Sequence, residues 1–487
     1  MIINESLLDK GLESMEKART WPSRIISKLE TLIRTEEDFL LFKINPLQFA
    51  EEKNFSEQDA INLFLYATKA GLFEMSWSLL CPSCGDSVES FTSLTLVNSS
   101  FYCTLCLRET EANLDDFIQA SFTISPKIRE IIYHHPDSLT VEDYIFKYRF
   151  SKEARIAGGP KYTQVVQSVL KDLAYIEPEQ ETAFTFKVNP GGYVGVFDLL
   201  MQTRILYPVT MATSSTEQTL AITIKEREIF PAEATFKAGD IRFIVKNTEK
   251  KKAATSVIYL PPGKFEQLHN PVKFEPFLTG KKLLTTQTFR DLFRSEIIQA
   301  TEGIGVKDIT IWFTDLKGST ALYERIGDLK AYSLVRQHFD YLGKIISDHQ
   351  GAIVKTIGDA VMAVFEDPVT AVKAALNILQ QIEQFNQEKG TRDIRLKIGL
   401  HKGAVIAVTL NQRLDYFGQT VNIAARVESL ANADEIYLTH DVYAFPQVQE
   451  LLQRLNVVPE NARLKGIKEE KAVYKVLSIP TPEHHCL

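Results

Sequence analysis

The spacing of apolar residues changes along the chain and divides it before any chemistry is considered. In "FSEQDAINLFLYATKAGLFEMSW", Ala60, Ile61, Phe64, Leu65 and Ala67 recur at helical spacing. Ser56 followed by Asp59 forms a variant of the capping box, and Gly71 stands where a C-cap belongs. Residues 120–175 read as helices and connections, broken at "ARIAGGPKY". From Phe184 the period becomes two, in "FTFKV", "LAITI" and "IRFIVKN", with turn clusters "NPGG" and "KAGD" between. This predicts a β-sandwich of roughly 90 residues. "TTQTFRDLFRSEIIQATEG" then predicts a linker helix.

Beyond Ile304 the predicted elements alternate regularly. "DITIWF" reads as a strand, followed by helices through "LKAYSLVRQHFDYLGKIISDHQ" that stop at Gly351. "AIVKTIGDAVMAVF" predicts two strands around a Gly358-Asp359 turn. A long helix starts at Pro368, a good N1 residue, and ends before Gly390. "IRLKIGLHKGAVIAVTL" predicts a second hairpin, "QTVNIAARVESLA" a helix and "EIYLTH" a strand. The sum, βααββαββ with a closing hairpin, is a ferredoxin-like α+β domain.

The predicted division is therefore multidomain. It comprises a helical region with a zinc ribbon (1–120), a helical connector (121–178), a β-sandwich-like domain (179–272), a linker helix (273–303), the α+β domain (304–480) and a flexible tail (481–487). A length of 487 residues agrees with several domains. Hydrophobic content of 45% and charged content of 24% are those of a soluble globular chain. No apolar run approaches the roughly 20 residues of a membrane-spanning helix. "MIINESLLDK" lacks the flanks of a secretory signal, so a cytoplasmic location is expected. A net charge of −7 argues against a protein built to coat nucleic acid. The helix leading into a strand after Ser56 resembles a winged-helix fragment, but no basic recognition helix accompanies it.

Four of the five cysteines form C-x2-C-x18-C-x2-C: Cys81, Cys84, Cys103 and Cys106. Two such knuckles supply a tetrahedral thiolate set suited to one structural Zn²⁺. A redox sensor or a nucleic-acid contact are the competing roles. The predicted sandwich holds only His269 and no cysteine, which disfavours copper. Lys250, Lys251 and Lys252 read as a solvated hairpin tip, and "HHCL" at 484–487 as an adventitious metal binder.

Chemistry concentrates at "WFTDLKGSTALYERIGD". Asp315 follows a buried strand directly, and Gly318, Ser319 and Thr320 open a helix. By itself Asp315 reads equally as a helix N-cap, and Asp359 as a solvated turn residue. The stretches "FTDLKGST", "VKTIGDAVMAVF", "GLHKGAV", "LDYFGQTVNIAARVES" and "LKGIKEEKAVYKV" change that balance. In this order and spacing, residues 304–480 resemble the catalytic domain of class III nucleotidyl cyclases. The four-cysteine region is similar to an uncharacterised module that precedes many bacterial cyclase domains.

The resemblance implies that Asp315, Asp359 and the Leu316 carbonyl bind two Mg²⁺ or Mn²⁺ ions. It implies that Gly318, Ser319 and Thr320 aim backbone N–H groups at phosphate. Lys355 and Asp415 match the pair that reads adenine in adenylyl cyclases, where guanylyl cyclases usually have Glu and Cys. Asn422 would orient the ribose, Arg426 would stabilise charge on the α-phosphate, and Lys465 (with Lys468 as competitor) would contact the triphosphate. His401 matches a family position and is expected to shape the hairpin. The expected enzyme is a homodimeric adenylate cyclase acting on ATP, with active sites shared between protomers and an N-terminal half that answers an unknown ligand or protein. A guanylate cyclase and a catalytically silent regulator are the alternatives. The GG[DE]EF signature of diguanylate cyclases is absent.

Overall fold

The computed structural model describes residues 2–94, 100–103, 106, 108–156, 159–225, 227–264, 268, 272–294, 303–410 and 413–477. His269, the tail from 478 and part of the predicted linker helix lie outside these residues. The chain divides into two compact units. The first is Met1–Thr92, Ser100–Ala112 and Phe117–Leu278; the second is Ser93–Ser99, Asn113–Asp116 and Thr279–Leu487.

The first unit opens with helices Glu5–Ala18, Ile25–Thr35, Pro46–Lys53 and Glu57–Lys69. Ser56 caps the last of these: its Oγ accepts from the Asp59 N–H at 3.1 Å and donates to Asp59 Oδ2 at 2.7 Å. Gly71, at φ +78°, turns the chain into strand Phe73–Leu80, the centre of a three-stranded antiparallel sheet with Ser87–Phe91 and Ile118–Ile124. Cys81 and Cys84 follow strand Phe73–Leu80, and Cys103 and Cys106 lie at the turn of a separate hairpin, Ser100–Cys103 with Arg108–Glu111.

Eight strands from Leu170 to Leu260 form two layers around one core that includes Phe184, Val196, Tyr207, Ile222, Phe243 and Val257. The sandwich is mixed: Gln218–Lys225 runs parallel to Phe236–Asn247, and a short parallel pairing of Thr203–Thr213 with Phe236–Asn247 joins the layers. Parallel pairing follows from the short strand Glu228–Phe230, which turns back on Gln218–Lys225 before the chain loops round and re-enters alongside it. Every residue of strand Ala253–Leu260 is buried, so both faces of its layer are covered.

The second unit is built on a sheet ordered Gly351–Ile357, Ala360–Phe365, Ile304–Leu316, Leu396–Leu410, Glu435–Thr439, Lys471–Val476, Val457–Ala462. Helices Asp328–Asp348 and Pro368–Glu388 cover one face over Trp312, Phe365, Ile398 and Leu400. Helix Gln419–Glu428 packs from the other side through Ile423 and Val427. Where sequence predicted one linker helix, Gly280–Leu284 and Gln287–Leu292 are two short helices. The hydroxyls of Thr285 and Thr286 both bond back to the Lys282 carbonyl, at 3.0 and 2.9 Å, which closes the first helix.

The predicted hairpin at "GLHKG" is instead the middle of one continuous 15-residue strand, Leu396–Leu410. Its glycines serve helix packing, not a turn. A Cβ on Gly399 would lie 2.1 Å from the Glu428 nitrogen, and one on Gly403 would lie 2.8 Å from Thr420 Oγ1. Gly399→Ala should therefore push helix Gln419–Glu428 off the sheet and cost about 1–3 kcal/mol. Denaturant unfolding would measure this, and an unchanged midpoint would refute the packing role.

Candidate active site and thiol cluster

Asp315 and Asp359 stand at the same end of neighbouring strands. The ladder between Ile304–Leu316 and Ala360–Phe365 closes at Thr314↔Val361; Asp315 comes next on one strand, and Asp359 sits in the turn that leads into the other. Gly358 makes that turn at φ +64°. Gly318, at φ +80°, begins helix Ser319–Ile326, and a Cβ there would meet nothing, so its backbone conformation and not space requires glycine. Ser319 and Thr320 occupy the first turn, whose N–H groups have no side-chain cap. Asp359 Oδ2 is buried without a hydrogen-bond partner. A buried carboxylate oxygen is costly to leave unmatched, and a hard divalent cation is a suitable partner, so the donors here fit Mg²⁺ or Mn²⁺.

A residue that sequence reasoning missed completes this end. Lys397 lies directly opposite Asp315 in the strand register, and its Nζ is 2.7 Å from Asp315 Oδ2 and 2.9 Å from Glu428 Oε1. Burial opposes the ammonium charge, but the two carboxylates outweigh it and the Lys397 pKa is raised. For Glu428 burial dominates even against Lys397, and its carboxyl is pushed up. The only signal in the sequence was a lysine at even spacing from Gly399 and His401, which marks a shared face but names no partner.

Lys355 and Asp415, 60 positions apart in sequence, meet with Nζ 2.5 Å from Oδ2. Asp415 is buried and also accepts from the Tyr416 N–H at 2.8 Å. The linker segment braces both strands: Gln287 Oε1 accepts from the Ile353 N–H at 2.7 Å, and Arg290 donates to the Leu414 carbonyl at 3.1 Å.

Asn422 and Arg426 share one face of their helix. The Arg426 guanidinium lies beside Gly466, with Nη2 3.5 Å from where a Gly466 Cβ would stand, next in sequence to the exposed Lys465. Asn422, Arg426 and Lys465 have no hydrogen-bond or ion-pair partner among the described residues, and none bonds to Asp315 or Asp359. The candidate residues thus form a carboxylate end, a Lys–Asp pair, and a set of uncommitted donors. His401 is buried, with Nδ1 2.8 Å from Thr439 Oγ1, and burial lowers its pKa to about 4. It is a packing residue within a strand.

In the first unit, the Sγ atoms of Cys81, Cys84, Cys103 and Cys106 all lie within 4.8 Å of one another. Four sulfur donors gathered from two knuckles fit a tetrahedral zinc site.

Residues 304–477 match the model of the adenylate and guanylate cyclase catalytic domain. Residues 12–291 match a second model, described as a family of unknown function (DUF5939). That match covers more than half of the chain, and the protein belongs to this family, with the cyclase domain following it. An adenylate cyclase of Anabaena cylindrica is 31% identical over 183 residues, which are 34% of this chain and 36% of that protein. Adenylate cyclase 1 of Rhizobium meliloti (strain 1021) is 27% identical over 188 residues, 36% of this chain and 28% of that protein. The chain therefore spans about a third of the length of these curated relatives. The crystal structure of the adenylyl cyclase CyaB from P. aeruginosa is 24% identical, covers 37% of this chain and 97% of that chain, and has a TM-score of 0.33. Among the described residues no helix is long and apolar enough to cross a membrane.

Two histidines give the cyclase domain a pH signature. His338 is buried with both ring nitrogens unpartnered, and burial lowers its pKa to about 3. His338 and His401 are neutral when folded and take up protons on unfolding below about pH 6.5, so the stability they contribute is complete above that pH and is lost as pH falls toward 4. Each should cost roughly 2 kcal/mol between pH 7 and pH 5. His338→Leu should remove one share of this loss in denaturant unfolding; an unchanged pH dependence would contradict it.

Proposed function

We propose that this protein is an adenylate cyclase converting ATP to 3′,5′-cyclic AMP and pyrophosphate. The observation that carries the reading is the contact of Lys355 with Asp415 inside a cyclase catalytic domain. When adenine enters, the ammonium donates to ring N1 and the carboxylate accepts from the exocyclic amine. Guanine presents the reverse pattern, a donor at N1 and an acceptor at O6, so a guanylate cyclase would need an acceptor where Lys355 stands. The relatives named adenylate cyclases support the same choice.

In this reading Asp315, Asp359 and the Leu316 carbonyl hold two Mg²⁺ or Mn²⁺ ions. Such ions, when bound, acidify the ribose 3′-hydroxyl and neutralise the triphosphate. The protein's own part is positioning. Asn422 orients the ribose, Arg426 donates to the α-phosphate oxygens as charge grows there, and Lys465 holds the leaving pyrophosphate. The free N–H groups at Gly318, Ser319 and Thr320 face phosphate oxygens. The 3′-oxygen attacks the α-phosphorus in line, and the bond to the bridging oxygen breaks. In this reading the protein is a homodimer in which one protomer supplies the carboxylates and its partner supplies Asn422, Arg426 and Lys465. The N-terminal half acts as a regulatory region, and its four thiolates hold one structural Zn²⁺.

Arg426→Ala should lower kcat about 10²–10³-fold, and Asp359→Ala should lower it at least as far. Near-normal turnover in either variant, assayed with ATP in Mg²⁺ and in Mn²⁺, would falsify the assignment. Lys355→Glu combined with Asp415→Cys should shift preference from ATP toward GTP; an unchanged preference would remove the base-reading role. For the thiol cluster, elemental analysis should find one zinc per purified chain and none in Cys81→Ser/Cys84→Ser. Equal zinc content in the two proteins would exclude it.

A further inference from the structure

The sandwich layer containing Tyr193–Asp198, Thr203–Thr213 and Ala253–Leu260 is apolar on both faces. Phe197, Leu206, Ile258 and Leu260 belong to a second cluster, separate from the sandwich core, and pack there with Val169 and Leu170. Helix Tyr162–Val169 and the thiol knuckles cover this outer face without filling it. A cavity of about 100 Å³ remains, walled by Phe146, Phe150, Tyr162, Phe197 and Ile258, with Cys84 and Cys106 at one side. In an apolar surround this is of the order that admits a single ring or a short alkyl chain; a worked case at roughly 150 Å³ takes up benzene.

Two arginines, Arg108 and Arg204, reach this wall. Arg204 is half-buried and sits directly opposite Phe197 in the strand register. Neither has an ion-pair or hydrogen-bond partner among the described residues. Three other buried or half-buried arginines of the same unit do: Arg129 pairs with Asp38 at 2.9 Å, Arg149 with Asp86 at 2.8 Å and Arg155 with Glu275 at 2.6 Å. A half-buried guanidinium on the wall of an apolar cavity gives up part of its hydration, and no carboxylate of the chain replaces it. A carboxylate would complete it through paired N–H···O bonds.

We propose that this cavity binds a small apolar carboxylate, a single ring or short alkyl chain with one anionic head. The apolar body lies among Tyr162, Phe197 and Ile258, the head meets Arg204, and the more exposed Arg108 adds to the positive field at the rim. A neutral ligand leaves both guanidinium groups unmatched, and a cationic one is repelled. The site lies wholly within the first unit, and the inference does not depend on the cyclase reading.

Calorimetric titration of the full chain with hexanoate, hexanol and hexylammonium tests this. Hexanoate should bind saturably with one site per chain, hexanol at least about tenfold more weakly, and hexylammonium not at all. Arg204→Gln should bring hexanoate down to the affinity of hexanol while leaving hexanol unchanged, which also reports an intact cavity. Val166→Trp, which fills the cavity, should abolish both. The proposal is overturned if hexanoate shows no saturable binding, if hexanol or hexylammonium binds as tightly, or if filling the cavity leaves hexanoate binding intact. Because the three probes are compared on the unaltered protein, charge selectivity is decided even if a variant fails to fold.

Discussion

The cyclase domain depends on how closely helix Gln419–Glu428 approaches strand Leu396–Leu410. Two glycines on one face of that strand, Gly399 and Gly403, leave the helix backbone in the space their side chains would take. That approach does three things together. It sets Ile423 and Val427 into an apolar seam. It fixes the face that carries Asn422 and Arg426. It also brings Glu428, at the end of the helix, within 2.9 Å of Lys397. Had the helix stood off by the width of a methyl group, the charge chain from Glu428 through Lys397 to Asp315 would lose its geometry.

The ion pairs in the domain share a property. Lys397 satisfies Asp315, and Lys355 satisfies Asp415, so these two carboxylates each have a cation beside them. Such pairs repay their desolvation only when the geometry is good, and breaking one partner is costly. A nucleotide that separates Lys355 from Asp415 must therefore match each group with its own hydrogen bond, which favours a base of one pattern over its mirror. Asp359 differs: one oxygen is buried with no partner. Unlike the paired carboxylates, it has an unmet need for positive charge.

Much of this was legible in the sequence, for reasons that differ by residue. Asp315 and Asp359 each read locally as an ordinary cap or turn residue, and it was the resemblance of the stretches around them to a cyclase catalytic domain that singled out the pair. Helical spacing puts Asn422 and Arg426 on one face, but only the resemblance marked that face as part of a site. The strand through His401 was misread because glycine has two uses, permitting a turn and permitting a close approach. Only the helix lying across Gly399 and Gly403 distinguishes them. Lys397 was missed because its importance comes from register with Asp315, 82 positions away in the chain, and register is a property of the folded sheet. The mixed direction of the sandwich was hidden for a similar reason: period-two alternation marks a strand but carries no information on its direction.

The same limit explains why the first unit offered so little function to its sequence. Its strand Ala253–Leu260 is buried at every position, a pattern that states only that both faces are covered. What covers them differs. One face meets a tightly packed core around Phe243 and Tyr207. The other meets a short helix and a pair of thiol knuckles, elements too small to fill the space above Phe197 and Ile258. Close packing is the norm in protein interiors, so an apolar face left incompletely covered, next to arginines without anions, departs from what folding alone would produce. Paired arginines elsewhere in the unit show that the chain supplies a carboxylate where structure needs one. At Arg204 it supplies none, which points to an anion from outside the chain.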